Sequence, residues 1–173
     1  GHGLATLDDE ELYLLTNNSD GDAIEDTALS RTSIIERIAS FEPKTVTMFI
    51  HACYSGATRD SNDDELLIAS AKPVKLLEDD SKLPDNFNMF SASQISQASS
   101  STKKETGVKN GIFSYYLMKG LEGSADLNKD RRITNGELYK YLSINVPKIA
   151  RSLHNREQEP FFKGDTNSVL VRF

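Results

Sequence analysis

Long apolar runs are missing from this 173-residue chain, and so is any concentration of positive charge. No stretch approaches the roughly 18 consecutive apolar residues of a membrane span, and no basic-then-apolar signal segment opens the chain. Cysteine occurs once, which excludes an internal disulfide and a cysteine-based zinc site. A lone thiol fits a reducing compartment, so the expected location is cytoplasmic. Residues 1–30 hold no Lys or Arg, although Asp8, Asp9, Glu10, Glu11, Asp20, Asp22, Glu25 and Asp26 all fall there. Across the chain 20 basic residues face 26 acidic ones, net −6, which argues against a nucleic-acid or membrane-surface partner. There is no internal repeat, no low-complexity tail and no glycine-rich phosphate loop after a strand, and no cofactor is expected.

What is present suffices for one core. Apolar residues make up 38%, and with the ten glycines about 44%, the lower edge of the globular norm. One domain over 1–173 is expected. Glu11–Leu15 reads as a short strand, followed by the turn-rich Asn17-Asn18-Ser19-Asp20-Gly21. A helix starting at Ser30 or Thr32 carries Ile34, Ile35, Ile38 and Phe41 and is stopped by Pro43. Thr45–Ile50 is a nearly continuous run of β-formers, the pattern of a strand covered on both faces. Asn88–Ala92 is a second strand, Ile112–Leu121 a helix ended by Gly120 or Gly123, and Val169–Phe173 a closing edge strand. Thr134-Asn135-Gly136-Glu137 is a capping box opening a helix with Leu138, Tyr141, Leu142 and Ile149 on one face. This alternation predicts an α/β fold with a mainly parallel central sheet flanked by helices.

In such sheets ligands sit beyond the carboxyl ends of the strands. Thr45–Ile50 runs into His51-Ala52-Cys53-Tyr54-Ser55-Gly56, so the single cysteine follows a core-type strand among small residues. The opening Gly1-His2-Gly3 supplies a histidine between two glycines. A cysteine is only a few per cent thiolate at neutral pH; a nearby imidazole raises that fraction and can protonate a leaving amine.

These residues resemble the caspase-like cysteine peptidases, in particular the bacterial orthocaspases beside the metacaspases. The resemblance is carried by Gly-His-Gly, by the apolar strand entering Ala-Cys-Tyr-Ser-Gly, and by Phe90-Ser91-Ala92-Ser93. The segment Gly111-Ile112-Phe113-Ser114-Tyr115-Tyr116-Leu117, then Gly120–Gly123 and Asp126–Leu138, adds to it and brings it over nearly the whole chain. His2 and Cys53 stand 51 positions apart, about the caspase spacing. The resemblance implies a caspase-like fold in three parts. Residues 1–56 are the remainder of a large-subunit-like part, 57–87 an intersubunit-like loop, and 88–173 a small-subunit-like part. The family's first strands would lie upstream of Gly1, on an upstream chain or domain completing the fold. It implies a Cys–His dyad with Cys53 as nucleophile and His2 handling protons. The amides of Gly3 and Cys53 would form an oxyanion hole, and His51, Ser91 and Ser93 would contact a protein or peptide substrate.

One departure bears on specificity. Relatives that cleave after Arg or Lys place an aspartate two residues before the catalytic cysteine, where this chain has His51, and a further aspartate pair where it has Ile95 and Ser96. A buried cationic P1 side chain without a carboxylate partner costs on the order of several kcal/mol. The P1 residue is therefore expected to be polar or acidic, with acidic substrates gaining as His51 protonates near pH 6. The long connection Ala57–Phe87 is expected to be exposed and protease-sensitive. The run Asp126-Leu-Asn128-Lys-Asp130-Arg131-Arg132 through Glu137 has calcium-loop spacing. Arg131 stands where that loop needs glycine, so it reads as a relic and no metal is expected. Two rivals stand beside the peptidase: a catalytically silent pseudo-enzyme serving as a regulatory or binding module, and an unrelated α/β binder with an accidental cysteine.

Overall fold

The computed structural model describes residues 2–5, 11–54, 58–59, 66–67, 83–92, 111–154 and 158–173, with backbone alone at 5, 53–54, 58–59, 66–67 and 153–154. The first half contributes β1 (His2–Ala5), β2 (Leu12–Leu15), α1 (Ile24–Thr27), β3 (Leu29–Ser30), α2 (Arg31–Ala39), β4 (Val46–Ile50) and β5 (Cys53–Tyr54). Two short strands, β6 (Thr58–Arg59) and β7 (Leu66–Leu67), pair with each other. Then come β8 (Phe87–Ser91), α3 (Ile112–Lys119) with a π-helical turn at Gly120–Ser124, β9 (Arg132–Thr134), α4 (Asn135–His154), β10 (Phe161–Lys163) and β11 (Val169–Arg172).

The strands do not form the expected mainly parallel central sheet. They make small sheets ordered β3-β2-β1-β5, β10-β8-β4, β11-β9 and β6-β7. Among the described residues, β1 with β5 and β4 with β8 run parallel, and the other pairs are antiparallel. The physical reason is connection length. A parallel crossover needs a dozen or more residues, whereas residues 6–11 alone join β1 to β2 and force an antiparallel pair. The apolar run that suggested a covered parallel strand does pair that way, Val46 opposite Phe87 through Ile50 opposite Ser91. Its pattern reports its own pairing and says nothing about the other sheets.

Helix boundaries follow their chemistry. Ser30 caps α2, its hydroxyl accepting from the Ser33 N–H at 3.1 Å. Thr134 caps α4 as a reciprocal box: its N–H donates to Glu137 Oε2 at 3.0 Å, and the Glu137 N–H donates to Thr134 Oγ1 at 3.2 Å. Every residue of β8 is buried, so it is the strand covered on both faces. Its alternation feeds two clusters. Phe90 and Ala92 pack with Ile112 and Phe113 of α3 and with Leu138, Leu142, Val146 and Ala150 of α4. Met89 packs with Ile50, Ala52 and Leu12. Each fully buried large apolar side chain contributes roughly 1.5–3 kcal/mol. Leu12 belongs to the four-stranded sheet and Met89 to the three-stranded one, so this second cluster ties the two together.

Candidate active site

The chain passes from one sheet to the other over two residues. β4 ends at Ile50, His51 and Ala52 follow, and β5 begins at Cys53. In β5, Cys53 is the register partner of His2, and Tyr54 the partner of Gly3. Paired strands lie about 4.8 Å apart, so the backbone sets the two residues singled out from sequence side by side. His2 is exposed and Gly3 buried, with Leu14 as the partner of Gly3 on the other side.

His51 occupies the junction and is drawn into the fold. Its Nδ1 shares a 2.6 Å hydrogen bond with Ser114 Oγ in the first turn of α3. Its ring meets Phe113 edge-on, with centroids 5.6 Å apart and planes at 72°. A Cβ built on Gly111 would lie 2.8 Å from His51 Nε2 and closer still to Cε1, so only glycine admits the ring here. Burial holds the imidazole pKa below its ordinary 6.5. Protonation of His51 therefore falls at lower pH than that of an ordinary imidazole. Ser114 and Gly111 were missed as partners of His51; no sequence signal joins residues 63 positions apart.

The end of β8 is held against the same junction. The Ala92 N–H donates to the Ile50 carbonyl at 2.9 Å. The Ala92 carbonyl accepts from Gln158 Nε2 at 2.9 Å, and Gln158 is 0% exposed. Ser91, expected to meet substrate, is 2% exposed and lies between Ile50 and Phe161 in the ladder. Ser93, Ile95 and Ser96 lie outside the described residues, as does most of 57–87. Gln158 is a buried polar residue that sequence reasoning missed. Within Asn155-Arg156-Glu157-Gln158-Glu159 it reads as part of a solvated run.

Among the described residues no group of three or more His, Cys, Asp or Glu side chains is placed to hold a metal ion. The calcium-loop-like run folds on its own backbone. Asp126 accepts from the amides of Asp130 and Arg131, Asn128 from that of Asp130, and Asp130 from that of Arg132. Arg131 adopts φ 64°, the left-handed conformation its position demands, without a glycine to ease it. Among the described residues no helix is long and apolar enough to cross a membrane. Compared with known proteins, the chain matches no family model and no curated protein.

Proposed function

We propose that this chain is a cysteine endopeptidase of caspase-like chemistry, acting on protein or peptide substrates in the cytoplasm without a cofactor. One observation carries the reading: the only cysteine and the glycine-flanked histidine, 51 positions apart in sequence, are register partners on adjacent strands. The Cys53 thiolate attacks the scissile carbonyl, and the electron pair moves to oxygen. Backbone amides, those of Gly3 and Cys53 by the resemblance, stabilise that oxyanion. The intermediate collapses as imidazolium His2 gives its proton to the departing amine, leaving a thioacyl-enzyme. Water, deprotonated by His2, hydrolyses the thioester and restores the thiol.

Specificity follows from the absence of an aspartate at position 51. Burial keeps His51 neutral over a wider pH range, and a neutral imidazole offers no charge to a basic P1 residue. A P1-scanned fluorogenic peptide library tests both parts. Turnover is expected with polar or acidic P1, and Cys53→Ala should abolish it. His2→Ala should lose nearly as much, because members of a catalytic unit are not additive. Undiminished hydrolysis in Cys53→Ala refutes the peptidase reading, and efficient cleavage after Arg or Lys refutes the specificity. A wild type that hydrolyses nothing, with a Cys53 of ordinary thiol reactivity, leaves the silent pseudo-enzyme.

A further inference from the structure

We propose that this chain associates head to tail with copies of itself, the Phe41–Glu42 turn of one copy docking in a groove on α4 of the next. The groove lies between α4 and the segment entering β10, and its volume is about 530 Å³. Tyr139, Ile144, Pro147 and Pro160 are its apolar walls, and Ile144 is 57% exposed. Lys148 and Arg151, three positions apart on the helix and so neighbours on its surface, add two cations to the lining. Like charges at that spacing repel. Glu159, the carboxylate in the lining, meets Arg151 only at 4.0 Å. An apolar slot flanked by a cation pair suits a large apolar side chain with a carboxylate beside it.

The chain presents such a pair itself. Phe41 is 76% exposed, more than any other large apolar side chain among the described residues. Glu42 follows at φ 52°, a left-handed conformation in which glycine is the usual residue after a helix. The turn is tied down on both sides. The Phe41 and Glu42 N–H groups donate to the Ile38 and Ala39 carbonyls at 3.2 and 2.9 Å, and the Pro43 carbonyl accepts from Asn86 Nδ2 at 2.7 Å. A glutamate held in a glycine conformation, on a fixed turn that points a phenyl ring at solvent, is the kind of strain found at contact surfaces. Glu42 is the counterpart of Lys148 and Arg151, and Lys44, two residues on, that of Glu159.

One copy cannot fill its own groove. Pro43 and Asn86 precede β4 and β8, so the turn sits at the start of that parallel pair. Pro160 precedes Phe161, which pairs with Ser91 at the far end of β8. The five residues of β4, at about 3.3 Å each, hold the two ends roughly 15 Å apart. Turn and groove are different surfaces, so the contact is heterologous and adds copies in one direction.

The test is sedimentation equilibrium of the full chain from about 10 μM to about 1 mM, the weak range that suits a contact below standard interface size. The weight-average mass should rise with concentration, and less steeply in about 0.5 M NaCl, which screens exposed charges. Phe41→Ser and Ile144→Ser should each raise Kd at least about tenfold. Mixed together they should form a heterodimer and nothing larger, because the first keeps an intact groove and the second an intact turn. Glu42→Gly relieves the backbone and removes the carboxylate, so Tm should hold or rise while Kd rises about twofold to fivefold. Glu42→Lys should weaken association, and combining it with Lys148→Glu and Arg151→Glu should restore it. This charge reversal carries the test should either serine variant unfold. A wild type that stays monomeric at about 1 mM overturns the proposal. So does association that Phe41→Ser leaves unchanged, which gives the groove another occupant, and so does failure of the two serine variants, both folded, to pair.

Discussion

Gly111→Ala should be one of the most damaging single-methyl additions in the chain, and the damage should be traceable to His51. Gly111 caps α3 at φ −64°, ψ 157°, a conformation open to any residue, so no backbone strain arises. An N-cap glycine is better than alanine by a few tenths of a kcal/mol to about 1, and alanine recovers a similar amount by restricting the unfolded chain. These nearly cancel. The added Cβ, however, would sit 2.8 Å from His51 Nε2 and closer to Cε1, against a ring with little room to move. Phe113 stands at its edge and Ser114 holds Nδ1 at 2.6 Å. Overpacking of this kind costs roughly 1–3 kcal/mol, and losing the His51–Ser114 bond about 0.5–1.5 more. At roughly 2–4 °C per kcal/mol for a chain of this size, about 3 kcal/mol lowers Tm by roughly 6–12 °C. The assay is thermal unfolding of four chains: wild type, Gly111→Ala, His51→Ala and the double variant. In the His51→Ala background the methyl should cost almost nothing, because the ring it strikes is gone. A Gly111→Ala Tm within 2 °C of wild type, or an equal fall in both backgrounds, refutes the argument.

Two further perturbations follow from the same kind of reasoning. Gly164 has φ 136°, and a Cβ there would lie 2.9 Å from the Phe87 carbonyl oxygen and 2.8 Å from Asn88 Cα, both backbone. Gly164→Ala should therefore destabilise by about 2–4 kcal/mol and break the Asn88 Oδ1 bond to the Asp165 N–H; an unshifted urea midpoint refutes this. Burial pushes the Glu137 carboxyl up, but hydrogen bonds from the Thr134 backbone and hydroxyl outweigh it and hold the pKa below the ordinary 4.5. Its ionised form is thus bound more strongly in the fold than in the unfolded chain. That stability is present above pH 4.5 and lost as pH falls through the lower folded value. The Tm gap between wild type and Glu137→Gln should accordingly shrink from pH 6 to pH 3, and a constant gap refutes the assignment.

Local chemistry was legible in the sequence and long-range pairing was not. The start of α2 at Ser30, the capping box at Thr134 and Glu137, and the strand before His51 all rest on neighbours within a few residues. Sheet composition rests on which strands meet, and single-strand patterns do not report that. The apolar run at 46–50 looks the same whether its sheet is wholly parallel or, as found, flanked by an antiparallel β10. β10 itself escaped notice because Phe161 and Phe162 follow a polar run and are only half-buried. His2 and Cys53 were singled out through the family resemblance, and the strands that carry them pair in register. Gln158 could not be singled out, since nothing distinguishes a glutamine destined for burial from its charged neighbours.

The placement of the candidate site explains why its supports lie so far away. Cys53 and His2 belong to the four-stranded sheet, while Ile50, Ala92 and Gln158 belong to the three-stranded sheet and the residues flanking it. The two residues between β4 and β5 must carry the cysteine across that boundary without slack. Three contacts remove the slack: Ala52 buried at 2% beside Leu12 and Met89, His51 bonded to α3, and Ile50 receiving the Ala92 N–H. Each comes from a different part of the chain. A site at such a boundary depends on the relative position of two sheets, and the small cluster of Leu12, Ile50, Ala52 and Met89 is what sets it. Truncating Met89 would leave a cavity between the sheets, and its cost to Cys53 reactivity should exceed that of an equal cavity made at Leu142, deep in the α3–α4 core.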